Sequence, residues 1–299
     1  MNRTSHKDEN INAWAKLIDP KSGLLARTVI QSVNTLMLAA HPDDETIGAS
    51  AALSRLPNAA VVYLTDGAPR DKQLWSGGGN YSREEYACIR RHEAEAALEV
   101  VGIPVERIHY LGTIDQESVF RLRELAGTLS ILLHELQPDA LITHAYEGGH
   151  PDHDSAALVA SLAVNSFKAA AAPKLLEMTS YHAHNGKCCM GEFLPVSEGQ
   201  PGRFEEFIIQ LAPEEAARKK RMMDCYKSQK LVLQNFPLNP ERLRPAPKYN
   251  FSTPPHSGKL WYECMGWQIT GVQWRELATQ AIGEFTNVPS FTLASRESA

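Results

Sequence analysis

The chain has 299 residues, 43% of them hydrophobic and 22% charged, with a formal net charge of −5. Such a composition builds a sizeable globular core, and its acidity argues against a general polyanion binder, whose affinity rests on clustered Lys and Arg. No stretch approaches the ~18 apolar residues of a spanning helix, and the N-terminus lacks the apolar run of a signal peptide, so neither a nucleic-acid partner nor a membrane span is expected. The basic run from Arg218 to Arg221 sits beside Glu214 and Glu215 and reads as a solvated helix face. Cys88, Cys188, Cys189, Cys225 and Cys264 are odd in number and lack zinc-finger spacing. Adjacent Cys188 and Cys189 cannot easily bridge each other without strain, so reduced thiols in a cytoplasmic protein are expected.

No linker-like segment divides the chain. The expectation is one domain over 1–299, with an N-terminal arm over 1–32, a core over 33–229 and a C-terminal wrapping segment over 230–299. In the arm, Trp14 and Leu17 are candidate anchors. A buried strand is expected over 33–40, a helix over 44–53 and a second strand over 58–65, ending at Asp66-Gly67. The loop 68–82 combines Gly77-Gly78-Gly79 with Trp75 and Tyr81, which suits either a flap over a ligand or a plain linker. A helix over 83–101 follows, carrying Arg90, Arg91 and Glu93, with Arg90 and Glu93 on one face.

Further on, a strand is expected over 107–111 and a helix over 118–136, whose Leu122, Leu125, Leu129, Leu132 and Leu133 share a stripe. A fourth strand over 139–144 leads to a helix over 154–169. A strand over 175–182 ends near His182 and His184, read as edge or substrate-lining histidines. A strand over 204–211 and a helix over 213–229 complete the core. The tail is proline-rich as far as Pro255, then aromatic.

Four successive strand-to-helix units imply an α/β fold of Rossmann-like type, a mostly parallel sheet covered by helices on both faces. Right-handed crossovers in the order 3-2-1-4 set the first and fourth strands side by side at a switch point, where such sheets bind ligands. Two segments with the same grammar end at that place. Leu36 to Ser50 runs from an apolar strand into His41-Pro42-Asp43-Asp44-Glu45, and Leu141 to Ala160 runs into His150-Pro151-Asp152-His153-Asp154. Acids in a helix's first turn favour its dipole and account for any single Asp. They account for neither His41 nor the His150 and His153 pair. Crowded carboxylates raise one another's pKa, and a divalent metal relieves that cost.

At these residues the sequence resembles the LmbE-like (PIG-L) family of zinc-dependent de-N-acetylases, which act on N-acetylated amino sugars and their conjugates. The resemblance rests on Ala40-His41-Pro42-Asp43-Asp44-Glu45, Leu64-Thr65-Asp66-Gly67, Arg90-Arg91-His92-Glu93, His150-Pro151-Asp152-His153 and Tyr226-Lys227-Ser228-Gln229. It implies one zinc per chain held by His41, Asp44 and His153, with Asp43 as general base and His150 as oxyanion stabiliser or proton donor. By the same resemblance Arg90 or Arg91 contacts substrate, and Trp75 and Tyr81 are candidate contacts from the loop. Where some members have a tyrosine two residues before the first His of HPDH, this chain has Gly148. The partner implied is a small N-acetylated amino sugar or glycoconjugate; a homo-oligomer is compatible with the sequence. Two other readings are a metal-dependent phosphoesterase, since His/Asp clusters also serve two-metal hydrolysis, and a sugar-binding protein with a structural zinc, which would need neither Asp43 nor His150.

Overall fold

The computed structural model describes residues 33–56, 58–75, 79–168, 171–195 and 206–286. The arm over 1–32, Gly77 and Gly78 of the glycine loop, and the tail beyond 286 lie outside the described residues. The strands are β1 (Asn34–Ala39), β2 (Asn58–Thr65), β3 (Ile108–Thr113), β4 (Ala140–His144), β5 (Lys174–Met178), β6 (Tyr181–His184), β7 (Lys187–Met190), β8 (Phe207–Ile209) and β9 (Glu241–Pro245). The helices are α1 (Asp44–Arg55), α2 (Arg83–Glu99), α3 (Leu122–Leu136), α4 (Pro151–Asn165), α5 (Pro213–Cys225), α6 (Lys230–Leu233), α7 (Trp261–Cys264) and α8 (Gly271–Thr286).

Seven strands form one sheet in the order β3-β2-β1-β4-β5-β9-β8. The first five are parallel, while β9 pairs antiparallel with β5 and β8 antiparallel with β9 at the edge. The expected 3-2-1-4 order therefore holds, with β1 and β4 neighbours at the switch point.

A continuous apolar strand must bury both faces, and β1 divides its side chains accordingly. Met37 and Ala39 enter one core with Val61 and Tyr63, beneath α1, α2 and α5. Leu36 and Leu38 enter the other with Val62 and Leu64, beneath α3, α4 and α8. On α3 the stripe Leu122, Leu125, Leu129 and Leu133 is buried at spacings of three and four. α2 begins at Ser82, whose hydroxyl accepts from the Glu85 N–H while the Glu85 carboxylate accepts from the Ser82 N–H.

Three elements differ from expectation. The strand over 175–182 is two: β5 in the sheet, and β6 paired with β7 in a separate hairpin. Asn185 and Gly186, at φ 50° and 74°, form the turn between them, an Asn-Gly hairpin signal that the sequence carried in plain view. The helix after β4 begins at Pro151, earlier than expected, because proline is pre-organised for a first helical position and His150 caps it. Within the tail, β9 is inserted between β5 and β8; its Arg244 is buried against Glu177 and meets the demand of that buried carboxylate. No helix among the described residues is long and apolar enough to cross a membrane.

Candidate active site

β1 and β4 end side by side, and the two turns that follow them build the site. In the first turn, Asp43 stands at φ 120°, a backbone conformation unfavourable for a residue with a Cβ. Its neighbours hold it there. The Asp43 N–H donates to Glu45 Oε2 at 3.0 Å, the His41 N–H donates to Asp44 Oδ2 at 2.8 Å, and Arg90 Nη2 donates to the Pro42 carbonyl and to Asp43 Oδ2, the latter at 3.1 Å. Glu45 in turn accepts from the Tyr226 hydroxyl at 2.5 Å. As a result Asp43 and Asp44 diverge, one toward Arg90 and the other toward the histidines.

Asp44 Oδ1 lies 3.3 Å from His153 Nε2, and Asp44 Oδ2 lies 3.2 Å from His41 Nδ1 and 3.3 Å from His144 Nε2. His41, Asp44 and His153 offer ligand atoms all within 4.8 Å of one another. Behind His41, its Nε2 faces Asp152 Oδ2 and Asp115 Oδ1, each at 3.2 Å. Asp152 is anchored by the N–H groups of Gln116 and Ser118 and by the Ser118 hydroxyl. A carboxylate on the outer nitrogen of a ligating histidine fixes its tautomer and orientation.

In the second turn, His150 Nδ1 accepts from the Asp152 N–H at 3.1 Å. A neutral imidazole accepting at Nδ1 carries its proton on Nε2, so His150 presents a donor. Its ring meets that of His41 edge-on, centroids 4.4 Å apart. Burial, followed by the His41 charge, holds His150 well below the usual histidine range.

The chemistry of the donors fits a divalent cation. Although burial opposes it, the His153 and His144 rings hold Asp44 well below the usual carboxylate range, so it is ionised. Burial, with His144 beside it, pushes His153 down to about 4, leaving the neutral imidazole that a metal ligand must be. His41 is raised despite burial because Asp115, Asp152 and Asp44 make its position favour positive charge. A cation satisfies the same field. A second set, His41, Asp115, His150 and Asp152, also has ligand atoms within 4.8 Å of one another, but it shares His41 with the first.

Of the other expected contacts, Arg90 is brought to the site and Arg91 is not. Arg90 is only 2% exposed, and its Nε and Nη1 are buried without a hydrogen-bond partner. Adjacent helical residues point about 100° apart, and Arg91 instead pairs with Glu95 at 2.9 Å on the exposed face, over the ring of Tyr110. Trp75 turns inward, stacked on Tyr86 at 4.4 Å with its Nε1 donating to the Pro69 carbonyl. Tyr81 is 39% exposed, its ring in the space a Cβ at Gly79 would need and its carbonyl accepting from Lys72.

Several site residues were not singled out from sequence: His144, Asp115, Asp152 as a partner of His41, Tyr181 and Trp267. His144 and Asp115 close or follow β4 and β3, so the rule that ligands gather at C-terminal strand ends could have found them. Tyr181, on β6, meets the His153 ring with centroids 5.2 Å apart, and Trp267 meets the His150 ring at 4.5 Å. Both come from distant chain, and only the fold reveals them.

Residues 36–164 match the family model described as PIG-L, GlcNAc-PI de-N-acetylase. A curated relative from Catenulispora acidiphila, 1D-myo-inositol 2-acetamido-2-deoxy-alpha-D-glucopyranoside deacetylase 2, is 31% identical over 149 residues, 42% of this chain and 49% of that protein. A second, the deacetylase of the same substrate name from Rhodococcus erythropolis, is 28% identical over 162 residues, 46% of this chain and 55% of its own length. The chain thus spans about half the length of the curated relatives it matches. Among solved structures, the zinc-inhibited form of teicoplanin deacetylase Orf2 superposes with a TM-score of 0.54 at 16% identity, covering 71% of this chain and 97% of that one; at that identity the likeness concerns the fold. The family-model match over residues 36–164, the sheet order and the meeting of the two His-Pro-Asp turns agree, and over that region the chain is similar to PIG-L de-N-acetylases.

Proposed function

We propose that the protein is a zinc-dependent hydrolase that removes the N-acetyl group from an amino sugar or amino-sugar conjugate. The observation that carries the reading is the divergence of Asp43 from Asp44. One carboxylate joins His41 and His153, while its neighbour is held beside them by Arg90, free of ligand duty. His41, Asp44 and His153 would hold the zinc; bound there, the ion supplies a water acidic near neutral pH and a Lewis acid for the amide carbonyl.

The remaining steps belong to the chain. Asp43 takes the proton of the attacking water, and burial, opposed by Arg90, raises this carboxyl above the usual range and makes it a better base. His150 donates its Nε2–H to the carbonyl oxygen as that oxygen gains negative charge. The proton gathered from water then passes to the leaving amine as the C–N bond breaks, giving acetate and the free amino sugar. Arg90, through Nη2 on Asp43 and on the Pro42 carbonyl, orients the base beside the substrate. The substrate class draws its support from the curated relatives, both of which are named as deacetylases of an acetamido sugar. All five cysteines are free, which suits the cytoplasm.

A two-metal phosphoesterase is favoured by the second ligand set. Against it, His41 would have to serve both ions, and Asp152 is already held by two backbone N–H groups and a hydroxyl. Zinc-loaded protein incubated with N-acetylated sugars and, in parallel, phosphate esters decides the matter: acetate release supports the proposal, and phosphate release without acetate overturns it.

A further inference from the structure

Trp267 stands outside the matched domain, yet its indole reaches the catalytic turn. Its ring meets that of His150 at 4.5 Å and 60°, and the side chain is half-buried, packed against the core beneath α3, α4 and α8. The mounting is rigid. The Trp261 N–H donates to the Gly148 carbonyl at 2.8 Å, two residues before His150, and the Leu260 side chain fills the space above Gly148. Glu263 accepts from the N–H groups of Leu260 and Gly271 at 2.9 and 2.8 Å, closing the segment on itself. The Trp267 N–H donates to the Tyr262 carbonyl at 3.1 Å, and Tyr262 and Trp274 are fully buried beneath. Nothing in amide hydrolysis itself requires a large aromatic ring beside the oxyanion donor. A pyranose does offer something for it: one face of the ring is largely C–H, and such surfaces pack on aromatic faces in sites that are mostly apolar with a few fixed polar groups.

We propose that Trp267 is a specificity-determining platform, its indole stacking on the C–H face of the pyranose whose acetamido group reaches the His41–Asp44–His153 cluster. The inference rests on the de-N-acetylase reading above. It places selection for cyclic amino sugars over acyclic amides in the C-terminal segment, while the chemistry stays in the two His-Pro-Asp turns.

The test compares wild type, Trp267→Phe and Trp267→Ala as zinc-loaded proteins on two probes, methyl N-acetyl-β-D-glucosaminide and acyclic N-acetylethanolamine. The expected result is a fall of about tenfold in the glycoside-to-acyclic ratio of kcat/KM for Trp267→Ala, expressed in KM for the glycoside, with Trp267→Phe retaining most of the preference. Saturation-transfer NMR of the glycoside, on Asp43→Asn protein with and without Trp267→Ala, reads the contact without turnover; the ring C–H signals should weaken in the double variant. An equal fall in kcat on both probes would mean that Trp267 only orients His150, and the platform is overturned. An unchanged ratio also overturns it. Should wild type hydrolyse neither probe while Trp267-dependent binding of the glycoside persists, the platform stands and the de-N-acetylase reading fails.

Discussion

The two His-Pro-Asp turns share a sequence grammar but not a structure. In the first, His41, Pro42 and Asp43 precede the helix, which begins at Asp44; in the second, His150 is the cap and Pro151 already helical. The first turn is unfavourable on its own account, with Asp43 at φ 120° and no side-chain cap, and besides its own Glu45 it depends on Arg90 and Tyr226 from outside. The second is largely self-sufficient. His150 caps its own helix, and Asp154 Oδ1 accepts from the Glu147 and Gly148 N–H groups at 3.2 and 3.0 Å. A two-residue difference in where the helix starts, relative to the motif histidine, sends Asp43 and Asp44 in different directions, yet leaves His150 and His153 on one helical face. Under the proposed function the strained turn would separate base from ligand, while the relaxed one would supply two imidazoles.

The sharpest way to break this comparison is to remove one imidazole from the relaxed turn. His153→Ala should lose bound zinc and all measurable turnover, whereas His150→Ala should keep zinc and lose about 10²–10³ in kcat, the usual cost of an oxyanion donor. Metal analysis of both variants checks it; full zinc content in His153→Ala would remove that residue from the ligand set. Next in size is Asp43→Asn, which keeps shape but cannot take a proton. Zinc should stay bound while kcat falls about 10²–10⁴, and near-normal turnover at full zinc loading would rule out this base.

The convergence of the two turns was legible because topology alone decides it: right-handed crossovers put β1 beside β4, and both motifs sit at strand ends. Which arginine reaches the site was not legible, since Arg90 and Arg91 differ by one residue and helical phase had to be seen. Trp75 was misplaced for another reason. A loop aromatic can cover a ligand or plug the core, and only the stacking on Tyr86 distinguishes the two. Tyr181 and Trp267 depended on contacts made across the fold, for which the sequence holds no periodicity.

Smaller effects test the supports. Tyr226→Phe removes the hydroxyl that donates to buried Glu45, the residue that in turn holds the Asp43 N–H. Leaving that carboxylate short of a donor should cost about 1–3 kcal/mol of stability, and kcat should fall further than KM changes, because the base loses its footing. A stability loss with unaltered kcat in thermal unfolding and kinetics would show that the first turn holds Asp43 without this chain of contacts.

The smallest expected effect separates the two turns by glycine. Gly148, just before the relaxed turn, sits at φ 69°, and a Cβ there would come within 2.6 Å of Leu260. Both the backbone and the neighbour resist a side chain, although Leu260 is flexible enough to shift by part of the distance. Gly148→Ala should therefore lower stability by about 1–2 kcal/mol and loosen the seat of the segment that carries Trp267. Gly127 is the control: it lies within α3, with nothing within 4 Å of a Cβ. Alanine there should stabilise by about 0.5–1 kcal/mol, because an interior helical glycine loses more backbone freedom on folding. Urea unfolding of the two variants gives the signs directly. If both substitutions stabilise, Gly148 is not held in the conformation described, and the tail's grip on the catalytic turn is weaker than its contacts imply.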